Sequence, residues 1–211
     1  MIKIWGRKNS SNVRKVLWVA HELGLSFDSI DAGGAFGMVD EPYYRQRNPN
    51  GLVPMLEDDE LILWESNAIV RYLCAEYGSK QGWYLDQPRQ RAQADKWMDW
   101  TTSSLAAPFR PLFWGLLRTP EEQRDWVAIN AAHKHCAQLL SIADQALATQ
   151  PYTQPYLTGE HIGMGDVPLG SFAYAWFELP IERPEMPHLE AWYERLKVRP
   201  SYQTAVMTAL T

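Results

Sequence analysis

Cysteine is scarce in this chain. Cys74 and Cys136 are the two in 211 residues, each set in an apolar stretch of helical spacing, with no C-x-x-C pair and no metal-ligand spacing. This leaves no disulfide framework or zinc module, and it suits a reducing compartment. Runs of Lys or Arg are also missing, and the net charge is −5, so the electrostatic footprint of a nucleic-acid or anionic-membrane binder is absent. No window reaches the ~18 apolar residues of a spanning helix, and MIKIWGRKN has too short an apolar segment for a signal peptide. A cytoplasmic protein with neither a membrane nor a nucleic-acid partner is expected. His133 and His135 are two apart on a helix and face different ways, which leaves no shared metal. His21, His161 and His188 are isolated, with no hydrolase arrangement around them. Gly33 to Gly37 lacks the Lys-Ser/Thr of a phosphate loop and reads as a mobile connection.

Apolar residues are plentiful, at 46% against 21% charged, enough for one large or two small domains with a true core. Ten Trp and ten Tyr exceed what a helical core needs and hint at an aromatic-lined cleft or interface. Ile2 to Trp5 alternates like a strand. From Asn12, the residues Val13, Val16, Leu17, Ala20 and Leu23 recur at helical spacing, with Gly24 as the stop. Phe27 to Ala32 reads as a second strand.

The most informative stretch is Asn48 to Leu73. A turn at Asn48 to Gly51 leads to a short apolar run broken by Pro54, an acidic reversal at Glu57 to Glu60, a second apolar run at Leu61 to Trp64, and a helix opened by Glu65-Ser66. Proline removes a ladder N–H and is tolerated at a strand edge or break. A cis Val53-Pro54 bond would turn the N–H and C=O of Val53 outward as an edge for a peptide-like ligand. Ser66 is expected to cap the helix, whose N-terminus favours an anion, while Glu65 offers a carboxylate to an ammonium. A zwitterionic amino-acid head group needs this pair.

In Leu52-Val53-Pro54 followed by Glu65-Ser66 the chain resembles the soluble glutathione transferases. The resemblance implies a β-α-β, β-β-α thioredoxin-like domain over 1–78, a linker over 79–87 and an all-helical domain over 88–211. It implies glutathione as co-substrate, held by Leu52, Val53, Pro54, Glu65 and Ser66, and a homodimer. Set against the serine-type zeta, theta and delta classes, with Val16 as anchor, Ser10 falls on their thiolate-binding serine, and Ser11 and Asn12 are near alternatives. Trp5 stands about where other classes carry a tyrosine, and an indole N–H is a poor substitute there. Among Arg14, Arg45 and Arg47 no choice can be made for a ligand carboxylate.

Beyond the linker everything reads as helical. Pro88 suits a first helical position, and Ala94, Trp97, Met98, Thr101 and Leu105 share one face until Pro108 and Pro111 force a kink or break. Thr119-Pro120-Glu121-Glu122 reads as a capping box that starts a long helix. The family's core helix opens with Ser/Thr-x-x-Asp. Here Gly163 and Asp166 keep half of that box, at a cost on the order of 1 kcal/mol or less. Pro187 to Tyr202 looks like the closing helix and turn, with a stop at Pro200.

Glutathione attacks as thiolate, whereas a free thiol titrates near ~8.5. Lowering that by ~2 units needs ~2.7 kcal/mol, within reach of one charge-assisted hydrogen bond and a helix N-terminus. A glutathione transferase acting on a small apolar electrophile is therefore expected, with Phe109, Phe113 and Trp114 as candidate pocket residues. Glutathione-dependent disulfide reduction and a non-catalytic module of the same fold are the alternatives.

Overall fold

The computed structural model describes residues 1–210. Strand β1 (Ile2–Trp5) leads through a short loop into helix α1 (Ser11–Glu22), which returns the chain to β2 (Phe27–Ile30). The helix stops as its sequence directs: Gly24 adopts φ 66°, and Leu25 N–H donates to Ala20 C=O at 2.9 Å, closing the carbonyl end. A helical crossover makes β1 and β2 parallel, pairing Ile2 with Phe27 and Trp5 with Ile30. The hairpin of β3 (Met55–Asp58) and β4 (Leu61–Trp64) joins β1 antiparallel through β3, for a sheet order β2-β1-β3-β4. Asp59 takes φ 51° in its tight turn.

Three local readings differ from the structure in this half. The β2 strand ends at Ile30 rather than Ala32. A six-residue helix, α2 (Pro42–Arg47), follows the Gly33 to Gly37 connection where no helix is expected from sequence, with Pro42 at its first position after Glu41. Helix α3 (Ser66–Tyr77) takes Glu65, not Ser66, as its cap residue. Ser66 is already helical, which turns its hydroxyl inward rather than back onto the helix's own N–H groups.

Compact units divide the chain as Met1–Asp86 with Arg199–Ala209, and Gln87–Val198. The closing segment therefore belongs by its packing to the first unit and not, as its place in the sequence implied, to the helical half. The helix before it ends at Lys197, ahead of Pro200, and Pro200 itself starts a further helix, α9 (Pro200–Ala205). This helix packs on α1, with the Trp18 and Tyr202 rings edge to face at 4.7 Å. Arg199 grips the Glu22 carboxylate with Nε at 2.7 Å and Nη2 at 2.6 Å, and Trp18 Nε1 donates to the same carboxylate at 2.9 Å. The core of this unit is Ile4, Val13, Val16, Trp18, Val19, Met55, Leu56, Ile69 and Leu73, all sealed from solvent.

The second unit is helical throughout: α4 (Pro88–Trp100), α5 (Ala106–Leu117), α6 (Trp126–Ala148), α7 (Asp166–Glu178) and α8 (Pro187–Lys197). Between α4 and α5 the backbone makes a wide π-turn over Thr101–Leu105. Pro108 and Pro111 lie within α5, which runs past both to Leu117. The long helix does not start from the Thr119 box. Glu121–Gln123 forms one 3-10 turn, and Asp125 is the cap, its Oδ1 accepting from Ala128 N–H at 3.0 Å.

Helix α7 takes Gly165 rather than Gly163 as its cap residue, with Asp166 its first helical residue, yet the carboxylate still reaches back as the box requires. Its Oδ2 accepts from Gly163 N–H at 3.1 Å, and Oδ1 accepts from Leu157 N–H and Trp192 Nε1, both at 2.9 Å. Complete burial pushes its carboxyl up to about 6, against the lowering influence of those donors. One side chain thus ties the approach loop, the start of α7 and the middle of α8 together.

Candidate functional site

Two helix starts in the first unit carry the residues singled out by sequence. After β1, Gly6 N–H and Arg7 N–H donate to Ile30 and Ala32 C=O at 2.8 and 2.9 Å, extending the strand pairing before the chain turns into α1. Ser10 caps α1 with extended backbone, φ −82° and ψ 125°, and its C=O accepts from Arg14 N–H at 2.9 Å. Its hydroxyl makes no capping bond. A half-buried hydroxyl beside the free N–H groups of a helix start is left available to an anion. Ser11 is the first helical residue and Asn12 the second.

The approach to β3 is pinned from behind. Leu52 C=O accepts from both the Tyr44 hydroxyl, at 2.6 Å, and Asn48 Nδ2, at 2.7 Å. Asn48 is buried, and its Oδ1 accepts from Asn50 N–H at 3.2 Å. The Val53-Pro54 peptide that follows is cis, and the ladder of β3 starts only at Met55, opposite Trp5 and Trp64. Trp5 is buried against Tyr43 and Tyr44, and its indole N–H has no hydrogen-bond partner. It is a core residue, consistent with the reading against a first-strand donor.

At the start of α3, Glu65 is exposed and held at φ 71°, ψ 109°. That conformation is costly for any residue with a Cβ and is found where surrounding structure imposes it, often at ligand sites. Ser66, buried behind it, sends its hydroxyl to Asn12 Oδ1 at 3.3 Å, so the two helix starts touch through side chains. The link between them is a residue that sequence reasoning missed. Lys15 is 2% exposed, and its Nζ donates to Asn12 Oδ1 at 2.9 Å, to Ser66 Oγ at 3.3 Å and to Asn67 Oδ1 at 3.5 Å. Burial pushes this ammonium down to about 8, partly countered by the Glu65 carboxylate. A lysine at a position flanked by Val13, Val16 and Leu17 was the available signal, because a charge on the inward side of a helix needs a reason.

The three arginines considered for a ligand carboxylate are engaged elsewhere. Arg14 is buried and donates to Lys8 C=O, to Thr208 Oγ1 at 2.7 Å and to Ala209 C=O at 3.1 Å, strapping the tail to α1. Arg45 pairs with Asp40 and donates to Pro49 C=O. Arg47 lies over the Tyr43 ring at 3.6 Å and donates to that residue's C=O. In the helical unit Phe109 is a core residue, 3% exposed and edge-on to Phe172. Phe113 is half-buried beside it, and Trp114 is 44% exposed with the guanidinium groups of Arg110 and Arg118 near its ring.

Comparison with known proteins bears on what this arrangement belongs to. The family model described as the glutathione S-transferase N-terminal domain matches residues 1–75. Glutathione S-transferase GstB of Escherichia coli K12 is 45% identical over 209 residues, covering 98% of each chain. This chain belongs to the glutathione S-transferase family. A theta-class glutathione S-transferase from Xanthomonas axonopodis pv. citri, solved with glutathione bound, superimposes with a TM-score of 0.93 at 61% identity, covering 100% of this chain and 99% of that one. Glutathione S-transferase 3 of maize is more distant, at 27% identity over 210 residues. The thioredoxin-like sheet followed by a helical half is therefore the transferase fold. No group of acidic, His or Cys side chains suited to a metal occurs among the described residues, and no described helix is long and apolar enough to cross a membrane.

Proposed function

We propose that this transferase binds glutathione along the Leu52-Val53-Pro54 edge and activates its thiol for attack on a small apolar electrophile. Val53 offers its main chain to the cysteinyl unit, Glu65 its carboxylate to the γ-glutamyl ammonium, and Ser66 with the start of α3 the partner for the γ-glutamyl carboxylate. Ser10 donates to the thiolate, and Ser11 and Asn12 stand one and two residues further into the same helix start. The observation that carries this reading is the junction of the α1 and α3 starts through Asn12 and Ser66. Two anion-favouring helix ends meet there beside an exposed carboxylate, the combination a zwitterion with a second, reactive anion requires. Titration calorimetry of glutathione into the protein tests it: saturable binding at millimolar concentration or below is expected, and its absence returns the chain to a non-catalytic module of this fold.

Disulfide reduction, if it occurs, would have to run between two bound glutathione molecules. Burial pushes Cys74 and Cys136 both up to about 12, so neither thiol supplies a protein mixed disulfide. Conjugation and disulfide turnover measured side by side separate the two activities. For the electrophile, Trp114 is the most accessible of the three aromatic candidates, with Phe113 next and Phe109 behind them. A homodimer is supported by the apolar edge strand β4, where Leu61, Ile62 and Trp64 stand 37 to 39% exposed. Such an edge is usually covered. Sedimentation should give twice the 24.3 kDa chain mass.

A further inference from the structure

Helix α1 borders a second concave place in the first unit. Leu17 and His21, four residues apart on one face of the helix, look into a cleft of about 430 Å³ between α1, β2 and α9. Lys15 turns from another face of α1 to Ser66 and Asn67 on α3. The volume lies within the ~300 to 1,000 Å³ of small-molecule sites. All of the lining belongs to the first unit, whose returning tail supplies Thr204 and Ala205. About half of it is apolar in kind, from Leu17, Leu25, Phe27 and Ala205, and no carboxylate takes part.

The cleft has two unlike ends. Parallel pairing sets Phe27 opposite Ile2 and Ser29 opposite Ile4, so strand alternation sends both side chains to one face of the sheet and Asp28 to the other. Gly6 N–H donates to Ile30 C=O at 2.8 Å, which puts Ser29 at the end of the cleft where the chain leaves β1 for Lys8. At the opposite end Leu25 and Phe27 meet His21, whose ring stands edge-on to Phe27 at 5.2 Å. Burial first, and the Lys8 charge second, hold His21 below its ordinary value, leaving a neutral imidazole with one N–H to donate. Thr204 spends its hydroxyl proton on Pro200 C=O at 2.9 Å. Lys8, His21 and Ser29 can all donate, and Glu22, the nearest acid on α1, is already held by Arg199 and Trp18.

We propose that this cleft is a second binding site, for a small organic carboxylate with an apolar body: the carboxylate lies at Lys8 and Ser29, and the body lies against Leu17, Leu25 and Phe27. A cation and donors at one end call for an anion, and the apolar end calls for carbon to cover it. Inorganic anions would leave the apolar lining wet. Glutathione would bring an ammonium to a cleft with no carboxylate to receive it. The inference goes beyond the glutathione reading and does not rest on it, since it uses none of Ser10, Val53, Glu65 and Ser66.

Naphthalene-2-carboxylate is the test ligand and naphthalene-2-carboxamide its uncharged control. Each is titrated into the full chain in the presence of saturating glutathione, by calorimetry and by NMR shifts of the backbone amides and His rings. The carboxylate is expected to bind saturably and about 10-fold more tightly than the amide, as one charge-assisted hydrogen bond should provide. Its shifts should gather at residues 25–29, at Thr204 and Ala205 and at the His21 ring. Lys8 is exposed, so its variants leave the core alone: Lys8→Glu should remove the preference for the carboxylate, and Lys8→Arg should keep it. Equal affinity for the two ligands, an undiminished preference in Lys8→Glu, or no saturation by about 10 mM would each overturn the proposal. So would shifts that gather at residues 52–66 or around Trp114 instead. Shifts at residues 25–29 that follow protein concentration rather than ligand would show a second copy of the chain covering the cleft, and would overturn it as well. If glutathione itself fails to bind, the transferase-site reading falls, while the carboxylate titration still decides this one.

Discussion

Single side chains in the first unit forgo bonds or solvation that would favour the fold. Ser10 occupies a helix cap without using its hydroxyl to cap. Ser10→Ala should therefore cost the fold little while slowing turnover ~10- to 1000-fold with glutathione affinity nearly unchanged, the pattern of a donor made effective only at the reacting anion. If Ser11→Ala or Asn12→Ala does this and Ser10→Ala does not, the thiolate donor lies further along α1. Lys15 carries the opposite signature. Its folded-state value of about 8 lies below the ordinary 10.5, so between those values the unfolded chain binds more protons and stability rises with pH. Below pH 8 the full cost applies, about 3 kcal/mol from the difference between the two values. Lys15→Met should thus melt higher than wild type at pH 7, and the gap should narrow as pH is raised from 8 to 10.5. A gap that is constant with pH, or of reversed sign, would show that the ammonium is not strained by burial.

Among the elements, side chains at helix starts decide where helices begin, and one of them does more than its own helix needs. Asp166 accepts three hydrogen bonds, from the loop before α7, from the turn that opens it and from the Trp192 indole on α8. Asp166→Ala leaves three buried donors unpaired at ~1 to 3 kcal/mol each, so a loss of at least about 3 kcal/mol is expected in a denaturant midpoint. By contrast, Asp125→Ala removes one exposed cap bond and should cost only about 1 kcal/mol. Equal losses would mean that Asp166 is no more than a cap. The displaced start of α6 has a plain cause. Thr119-Pro120-Glu121-Glu122 satisfies the pattern of a helix start, but Thr119 Oγ1 is spent on Trp114 C=O and Arg124 reaches back to Thr119 and Leu116 C=O. Those side chains close α5 rather than open α6.

The molecule as a whole is divided differently from its sequence. Segment Arg199–Ala209 packs with the first unit, where Tyr202 and Val206 are fully buried and Arg14 and Glu22 hold the tail. Ending the chain at Val198 removes the cover of Trp18, itself sealed from solvent. At ~1.5 to 3 kcal/mol for each large buried side chain, the first unit should lose about 5 kcal/mol. Hydrogen exchange of the α1 amides should rise by orders of magnitude in the shortened chain, and unchanged protection would show the segment to be dispensable.

Local pattern determined a good deal by itself. The strand bounds at Ile2–Trp5 and Leu61–Trp64, the stop at Gly24 and the break at Pro54 ahead of β3 are all written in short-range chemistry: alternation, helical spacing, glycine freedom and proline's missing donor. The helix Pro42–Arg47 escaped because six residues are too few for a periodic signal. Only the tertiary structure decided the isomer at Val53-Pro54, the inward turn of Ser66, the return of the tail to α1 and the place of Lys15. Each of these depends on what lies opposite in space. A buried ammonium in particular is unreadable one residue at a time, since its partners at positions 66 and 67 are some fifty residues away along the chain and neighbours only once two helices have met.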